Sequence, residues 1–436
     1  MSSYLRTIDY LYGLKRLGIR PGLAAIKRLL AALKNPEGAF SSVHVAGTNG
    51  KGSTSAFIES MLEESGFTTG LYTSPHLMRF NERIRIGGVE VSDEEVVETA
   101  EKVKRAAERE FCAESEAVPT FFEFVTAMAF ELFRMRGVEV AVVETGMGGS
   151  FDATNTITPL VSVITNIGLD HTRHLGEDLE SIAMEKAGII KAGAPVVTAE
   201  AKRAPLKVLR DVSRERDARL YRLGVDFDFV TPGSDAGFNY SGIHGTLSGL
   251  RINLRGAHQY KNAALALAAV EAVREAGLPV DGPAIKEGLK KAFWPGRLEV
   301  MGEKPLVIID CAHNPSGAAA LRGALSELLS RPSVILVAGL SKDKDIDGFF
   351  SPLMDLPEKV ILTMADNERA AEAGLLAERI RHYHKAVIVK KGVRAAVTAA
   401  LKEARPEGAV LITGSIFIAG EAREFLLKSL KAAGPS

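Results

Sequence analysis

From Leu306 onward the sequence repeats one pattern. The runs LVIIDCAHN, VILVAGL, KVILTMA, AVIVKKG and AVLITGS are short and apolar, close on polar or glycine residues, and are separated by stretches with helical spacing. A short apolar run without alternation suits a strand buried on both faces, and such strands interleaved with helices predict a parallel sheet with crossover connections. The pattern therefore predicts a smaller, doubly wound, Rossmann-like α/β domain. Upstream, SSVHVAG, TGLYTSP, VEVAVVETG and LVSVITNIG also read as strands that open into polar loops, so a larger parallel-rich α/β domain is expected there. A chain of 436 residues suits two domains, since compact units run to about 100 to 200 residues. The stretch FWPGRLEV marks the boundary, giving residues 1–296 and 297–436.

One upstream strand leads into a glycine loop and then a helix. SSVHVAG is followed by TNGKG and by GSTSAFIESMLEESG, whose Phe57, Ile58, Met61 and Leu62 share a helical face. Gly47, Gly50 and Gly52 let the backbone turn tightly and aim amide N–H groups at phosphate oxygens, while the helix adds its positive end. Lys51 would meet the β- and γ-phosphates. The loop departs from the usual phosphate-binding signature in two places: Val45 stands where a first glycine is expected, and Gly52 where a serine or threonine would hold magnesium. The sequence thus predicts an N-terminal nucleotide-binding domain of P-loop type whose metal is held by residues outside the loop.

In parallel α/β sheets the ends of neighbouring strands share one crevice. That places Glu144 in VVETG like a metal-holding carboxylate, with Asp170 and His171 in IGLDHT to join it. Asn262, at the head of an alanine-rich helix, reads most simply as an N-cap. Arg297 reads as a linker charge, and Asp310 and His313 either cap the next helix or face a ligand. Phe121, Phe124, Phe130 and Phe133, in a helix opened by a Thr120–Glu123 capping box, read as core.

The 54 basic and 54 acidic residues leave no global field to attract nucleic acid or anionic lipid. No stretch reaches the roughly 18 to 20 apolar residues of a membrane span, and the charged N-terminus lacks a secretory apolar core. Cys112 and Cys311 lie far apart and form no metal-ligand pattern, which suits a reducing cytoplasm.

Seven motifs in series, HVAGTNGKGST, LYTSPHLMRFNERI, VVETGMGGSFDATN, ITNIGLDHTRHLG, SIAMEKAGIIK, PGRLEV and DCAHNPSGA, together resemble bacterial folylpolyglutamate synthases, often bifunctional as dihydrofolate synthases, within the Mur ligase superfamily. The resemblance implies an ATP-dependent ligase that joins L-glutamate to folates, and also to dihydropteroate, through an acyl phosphate. It implies that Gly47, Thr48, Asn49, Gly50, Lys51, Gly52 and Ser53 cradle ATP, with Asn262, Arg297, Asp310 and His313 completing that site between the two domains. Magnesium would be held by Ser74, Glu144 and His171, together with Lys186 as a carbamate. Ser74, Phe151, Asp152 and Ala153 would meet the folate-type substrate, and Lys51, Lys186 and His313 would assist catalysis. The N-terminal YLYGLKRLGIRPGLAAI lies where bifunctional members bind dihydropteroate. Arg79, Arg83 and Arg85 read as a solvated strand face, with an acidic polyglutamate tail as the other reading. The remaining expectations are small-molecule partners only, a cytoplasmic location and a monomer. The readings kept beside this one are a monofunctional folylpolyglutamate synthase, a Mur-type ligase of peptidoglycan precursors, and a P-loop regulatory NTPase. Gly52 after Lys51 weighs against the Mur-type ligase, and the NTPase leaves DCAHNP unexplained.

Overall fold

The computed structural model describes residues 2–18, 20, 22–111, 118–231, 237–328, 333–384 and 386–433. Ile19, Pro21 and Cys112 lie outside them, whereas Cys311 is buried and outside any disulfide. The chain forms two compact units, one from Met1–Asn253 with Tyr260–Phe293 and one from Leu254–Gln259 with Trp294–Ser436.

The first unit is organised by a sheet of β1 (Ser41–Ala46), β2 (Thr69–Tyr72), β3 (Ile84–Ile86), β4 (Val89–Glu90), β5 (Val140–Glu144), β6 (Val161–Ile164), β7 (Val196–Thr198) and β8 (Leu220–Arg222). Their order is β4-β3-β2-β5-β1-β6-β7-β8. All neighbours are parallel except the β3–β4 hairpin, which turns at Gly87 and Gly88 and joins β2 antiparallel. Strands β1, β5 and β6 are buried almost throughout, as their unbroken apolar runs require.

Helix Lys51–Glu64 is buried on all sides between Gly52 and Leu62, beyond the single apolar face that its sequence suggests. Helix Gly282–Lys291 covers its outer side, where Ser60 Oγ donates to the Gly288 carbonyl at 2.8 Å. Helix Phe121–Met135 begins at the Thr120–Glu123 capping box and sends Phe124, Phe130 and Phe133 into one core with Leu11, Ile26 and Leu29. Phe121 differs: it is only half-buried at the edge of that core. A small antiparallel sheet, β9 (Asp228–Val230), β10 (Phe238–Ser241) and β11 (Thr246–Leu250), completes the unit and is tied to helix Ala257–Glu275 by Tyr240, which donates to Glu271 at 2.7 Å.

The second unit carries β12 (Glu299–Glu303), β13 (Leu306–Ile309), β14 (Val334–Ala338), β15 (Pro357–Leu362), β16 (Val387–Val389) and β17 (Ala409–Thr413), in the order β12-β13-β17-β14-β15-β16. Only β12 runs antiparallel to its neighbour; the rest are parallel, with helices between them. This is the doubly wound sheet that the apolar runs predict. No helix among the described residues is long and apolar enough to cross a membrane.

Candidate active site

Sheet register brings the polar strand ends together. Val45 pairs with Glu144, Tyr72 with Val143, and Ala46 with Ile164. Gly47, Ser74, Glu144 and Thr165 therefore leave four adjacent strands at one edge, where an α/β sheet forms its crevice. The glycine loop crosses this edge and is held there by the segment after β6. The Thr48 amide donates to the Asn166 carbonyl at 2.9 Å, and the Asn49 amide donates to Asn166 Oδ1 at 3.0 Å. Thr165 Oγ1 donates to the Asn49 carbonyl at 2.7 Å, and the Gly168 amide donates to Thr48 Oγ1 at 2.9 Å.

Two glycines are required by close approach. A Cβ at Gly47 would lie 1.8 Å from Thr165 Oγ1. Gly50, in the left-handed region at φ 85°, would put a Cβ 2.5 Å from Asn262 Oδ1. Asn262 is thus no N-cap. Helix Ala257–Glu275 starts earlier, and Asn262 within it lies against the loop. Beyond Gly50 the helix begins at Lys51, so the first-turn amides, Gly52 and Ser53 included, lack intrahelical acceptors and form an anion cradle.

Two lysines meet behind this cradle. Lys51 Nζ donates to the Gly47 carbonyl at 3.3 Å, and Lys186 Nζ donates to the same oxygen at 2.9 Å. Lys51 also stands 3.8 Å from the buried carboxylate of Glu144. Burial, and secondly the charge of Lys51, push Lys186 down to about 7. Its placement follows from the C-terminal end of helix Leu179–Ala187, where Ser150 donates from amide and hydroxyl to the Glu185 carbonyl. Asp170 is among the charges that Lys186 feels. Next to Asp170, His171 is half-buried at φ 51°, a left-handed conformation uncommon outside glycine and found where surrounding structure enforces it. No group of three His, Cys, Asp or Glu side chains arranged for a metal occurs among the described residues. The expected Ser74, Glu144 and His171 set contains only two residues of those types.

The GGSFDATN loop presents Phe151 to solvent, 55% exposed, and buries Asp152 and Ala153. Asp152 Oδ1 accepts from the Thr154 amide at 3.1 Å and its hydroxyl at 2.5 Å, while Oδ2 accepts from the Met147 amide at 2.9 Å. Since Thr154 gives its proton to Asp152, the 2.8 Å contact between its oxygen and His44 must come from a protonated His44 Nε2. Burial raises Asp152 and lowers His44 to about 3, so this imidazole is neutral.

In the second unit, Asp310 follows β13. Its Oδ2 accepts from the Leu298 amide at 3.0 Å and its Oδ1 from the Ala312 amide at 2.8 Å. The next helix is opened by Asn314, whose side chain accepts from the Gly317 amide at 2.8 Å, so neither Asp310 nor His313 serves as its cap. His313 Nδ1 donates to the Cys311 carbonyl at 2.9 Å, which leaves Nε2 as the acceptor. Arg297 is half-buried, not a surface charge, and it and Asp310 both act on His258, whose ring burial pushes down. Sequence reasoning passed over His258, Thr165 and Asn166; only the polar runs around them, RGAHQYKN and TNIG, hinted at a role. It also misplaced Arg83. Arg79 is exposed and pairs with Asp93 at 2.7 Å, but Arg83 is buried, because its turn folds back under Tyr12 and His76 rather than lying on a solvated face.

A glycine loop and helix at the edge of one parallel-rich α/β sheet, followed by a second doubly wound unit, suit an ATP-dependent ligase. Residues 45–270 match the Mur ligase middle domain, and residues 296–416 match the Mur ligase glutamate ligase domain. The chain is 38% identical over 377 residues to a dihydrofolate synthase/folylpolyglutamate synthase of Bacillus subtilis, covering 85% of this chain and 87% of that one. It is 37% identical to the folylpolyglutamate synthase of Lacticaseibacillus casei, covering 98% and 99%. Among solved structures, Mycobacterium tuberculosis folylpolyglutamate synthase complexed with ADP superposes with a TM-score of 0.92 at 34% identity, covering 97% and 98%. The bifunctional enzyme of Yersinia pestis, complexed with AMPPNP and Mn ion, gives 0.87 at 33%, covering 98% of each chain. The chain belongs to the dihydrofolate synthase/folylpolyglutamate synthase family.

Proposed function

We propose that this ligase uses ATP to join L-glutamate to reduced folates and also to dihydropteroate. The observation that carries the reading is the convergence of Lys51 and Lys186 on the Gly47 carbonyl beside Glu144, at the mouth of an anion-binding helix. A carboxylate oxygen of the folate attacks the γ-phosphorus of ATP. The bond to the ADP oxygen breaks, and an acyl phosphate forms. The amino group of L-glutamate then attacks the acyl carbon, phosphate leaves, and the amine loses its proton. Lys51 and the first-turn amides of Gly52 and Ser53 stabilise charge on the transferred phosphoryl group, and the loop from Gly47 through Gly50, whose Thr48 and Asn49 amides are held by Asn166, carries them to it. Asn262, Arg297, Asp310 and His313 are assigned to the nucleotide, and His313 Nε2 to positioning the acyl phosphate and amine. Residues 1–296 then serve as the ATP- and folate-binding domain, and 297–436 as the glutamate-ligase domain.

Ser74, Glu144 and His171 would hold magnesium. Of that set the Ser74 hydroxyl, two residues past β2, and the Glu144 carboxylate, at the end of β5, are the oxygen donors that suit the ion, and three protein ligands leave most positions to water and phosphate. A divalent cation bound there would supply positive charge to the phosphates of ATP. Lys186, held near neutrality, is the amine in the site suited to attack carbon dioxide, forming a carbamate and releasing a proton. The sign reversal would relieve its repulsion from Lys51. Phe151, Asp152, Ala153 and Ser74 are assigned to the folate, and the enzyme is read as a cytoplasmic monomer.

The test offers the purified protein ATP, magnesium and L-glutamate with either dihydropteroate or tetrahydrofolate monoglutamate, and follows phosphate release and product mass. Glutamylated product from both is expected. Product from the folate alone would make the enzyme monofunctional, and product from neither would overturn the reading.

A further inference from the structure

Arg83 ends the short helical turn Phe80–Arg83 and is buried, with 6% of its surface exposed. A buried guanidinium normally has a carboxylate beside it, because an uncompensated buried charge is costly. Among the described residues none lies within ion-pair distance of Arg83, whose side chain donates only through Nε, to His76 Nδ1 at 2.8 Å. The carboxylates whose field reaches it, Glu82 and Glu144, are committed elsewhere. Glu82 accepts from the amides of Leu77, Met78 and Arg79 at 2.6, 2.9 and 2.8 Å, and Glu144 faces Lys51.

A second cation shares the same aromatic wall. Lys15 Nζ lies 3.9 Å from the Tyr12 ring centre and 5.4 Å from that of Phe121, and Arg83 Cζ is also 5.4 Å from the Phe121 centre. Because His76 Nδ1 accepts from Arg83, its proton sits on Nε2 and is donated to the Tyr12 oxygen at 3.1 Å. The hydroxyl proton of Tyr12 is then available to an acceptor outside the pair. Two cations on one ring, a phenol donor, and a guanidinium without an internal carboxylate form an anion receptor with aromatic sides. Tyr72 and Glu144, on β2 and β5, are among the groups that Arg83 feels, so the receptor borders the strand ends of the reaction centre.

We propose that Arg83 and Lys15 bind the carboxylate of a folate's terminal glutamate that does not react. A folate monoglutamate has two carboxylates, one to be activated and one to be held. Dihydropteroate has one, and it is the one activated. The receptor therefore selects folates and contributes little to dihydropteroate, although Lys15 belongs to the N-terminal segment that the family resemblance links to dihydropteroate. This inference rests on the functional reading above.

The test compares KM for tetrahydrofolate monoglutamate and for dihydropteroate in Lys15→Met, Arg83→Lys and Arg83→Met. Lys15 is exposed, so its variant keeps the fold even if Arg83→Met does not. Lys15→Met is expected to raise the folate KM about tenfold, the loss of one charge-assisted contact, while the dihydropteroate KM moves less than about twofold on the same scale. Equal losses for both substrates, or none for either, would overturn the proposal. A second measurement needs no turnover: 4-aminobenzoyl-L-glutamate should bind wild type more tightly than Lys15→Met, whereas 4-aminobenzoate should bind both equally. If wild type glutamylates neither substrate, the functional reading fails, and this binding comparison still decides the receptor.

Discussion

In the first unit the phosphate loop takes its shape from remote residues: the Asn49 amide is bound by Asn166, 117 positions on, and Lys186 reaches the Gly47 carbonyl from 139 positions away. In the second unit Asp310 and His313 are tied to groups close by in the chain, Leu298, Ala312 and Cys311. The first site exists only once β1, β5 and β6 are in register; in the second the side chains are held from close by, on a backbone that β17 anchors through the Asp310 amide on the Ile412 carbonyl and the Gly414 amide on that of Ala312, both at 3.0 Å. The first site also concentrates cost, since it buries a lysine beside another cation and a carboxylate among amides. Such groups are kept where chemistry needs them.

The hardest test of this contrast is Lys51→Ala. Removing the cation from the cradle should lower kcat about 10³-fold, the scale seen when one preorganised transition-state contact is lost. Its side chain supports no strand pairing, so circular dichroism and melting temperature should stay close to wild type. A kcat within tenfold of wild type would show that the remote scaffold has built something other than a phosphoryl-transfer site.

Lys186→Met separates chemistry from stability. Lys186 has a folded pKa of about 7, against an ordinary value of 10.5. Below about pH 7 it is charged whether folded or unfolded, and the full penalty of burying it is present. As pH rises from 7 towards 10.5 the folded state holds fewer protons than the unfolded one, so wild-type stability increases and the penalty fades. In carbonate-free buffer the methionine variant should therefore be inactive, yet melt a few degrees higher at pH 7, with the gap closing by pH 10. Added ¹³C-bicarbonate should stabilise wild type alone and yield a carbamate carbon signal. A variant less stable than wild type at every pH would show that the lysine is a structural asset.

Gly50→Ala and Asp310→Ala set the two regions against each other. The alanine at Gly50 must adopt a left-handed backbone, costing about 1 to 2 kcal/mol, and its Cβ displaces Asn262. KM for ATP should rise about tenfold with folate KM unchanged. Asp310→Ala leaves the Leu298 and Ala312 amides without their acceptor, about 2 kcal/mol of stability. Calorimetry should place that loss in the second unit. A shift in the first unit's transition would refute the local character assigned to this loop.

These contrasts explain what the sequence could disclose. Strand, glycine loop and helix are contiguous, so the loop that sets Lys51 at the sheet edge was legible from period and composition, as was the doubly wound sheet of the second unit. The functional assignments of Ser74, Lys186 and Phe151 came through family resemblance, because nothing in their own neighbourhoods marks them. Asn262 was misread because the helix begins five positions earlier, at Ala257, moving the residue from the cap to the body. Arg83 was misread because strand alternation does not show that the preceding turn tucks it beneath Tyr12. Thr165 and Asn166 were invisible, since their partner Asn49 lies 116 and 117 positions away in the chain.

The smallest effect concerns His44, a polar residue with no exposed surface in the middle of β1. Its Nε2 proton holds the Thr154 oxygen, which turns the Thr154 proton to Asp152 and keeps the carboxylate oriented under the GGSFD loop. His44 touches no substrate in this account; it positions Asp152. His44→Leu should raise KM for dihydropteroate a fewfold, about the effect of one lost neutral hydrogen bond, with KM for ATP unchanged. His44→Gln, which restores an N–H donor, should recover most of the loss. Because the imidazole stays neutral down to about pH 3, the wild-type profile should show no His44 titration near neutrality. A glutamine variant as impaired as the leucine variant would mean that the ring fills space in β1, and that Asp152 is oriented by the Met147 and Thr154 amides alone.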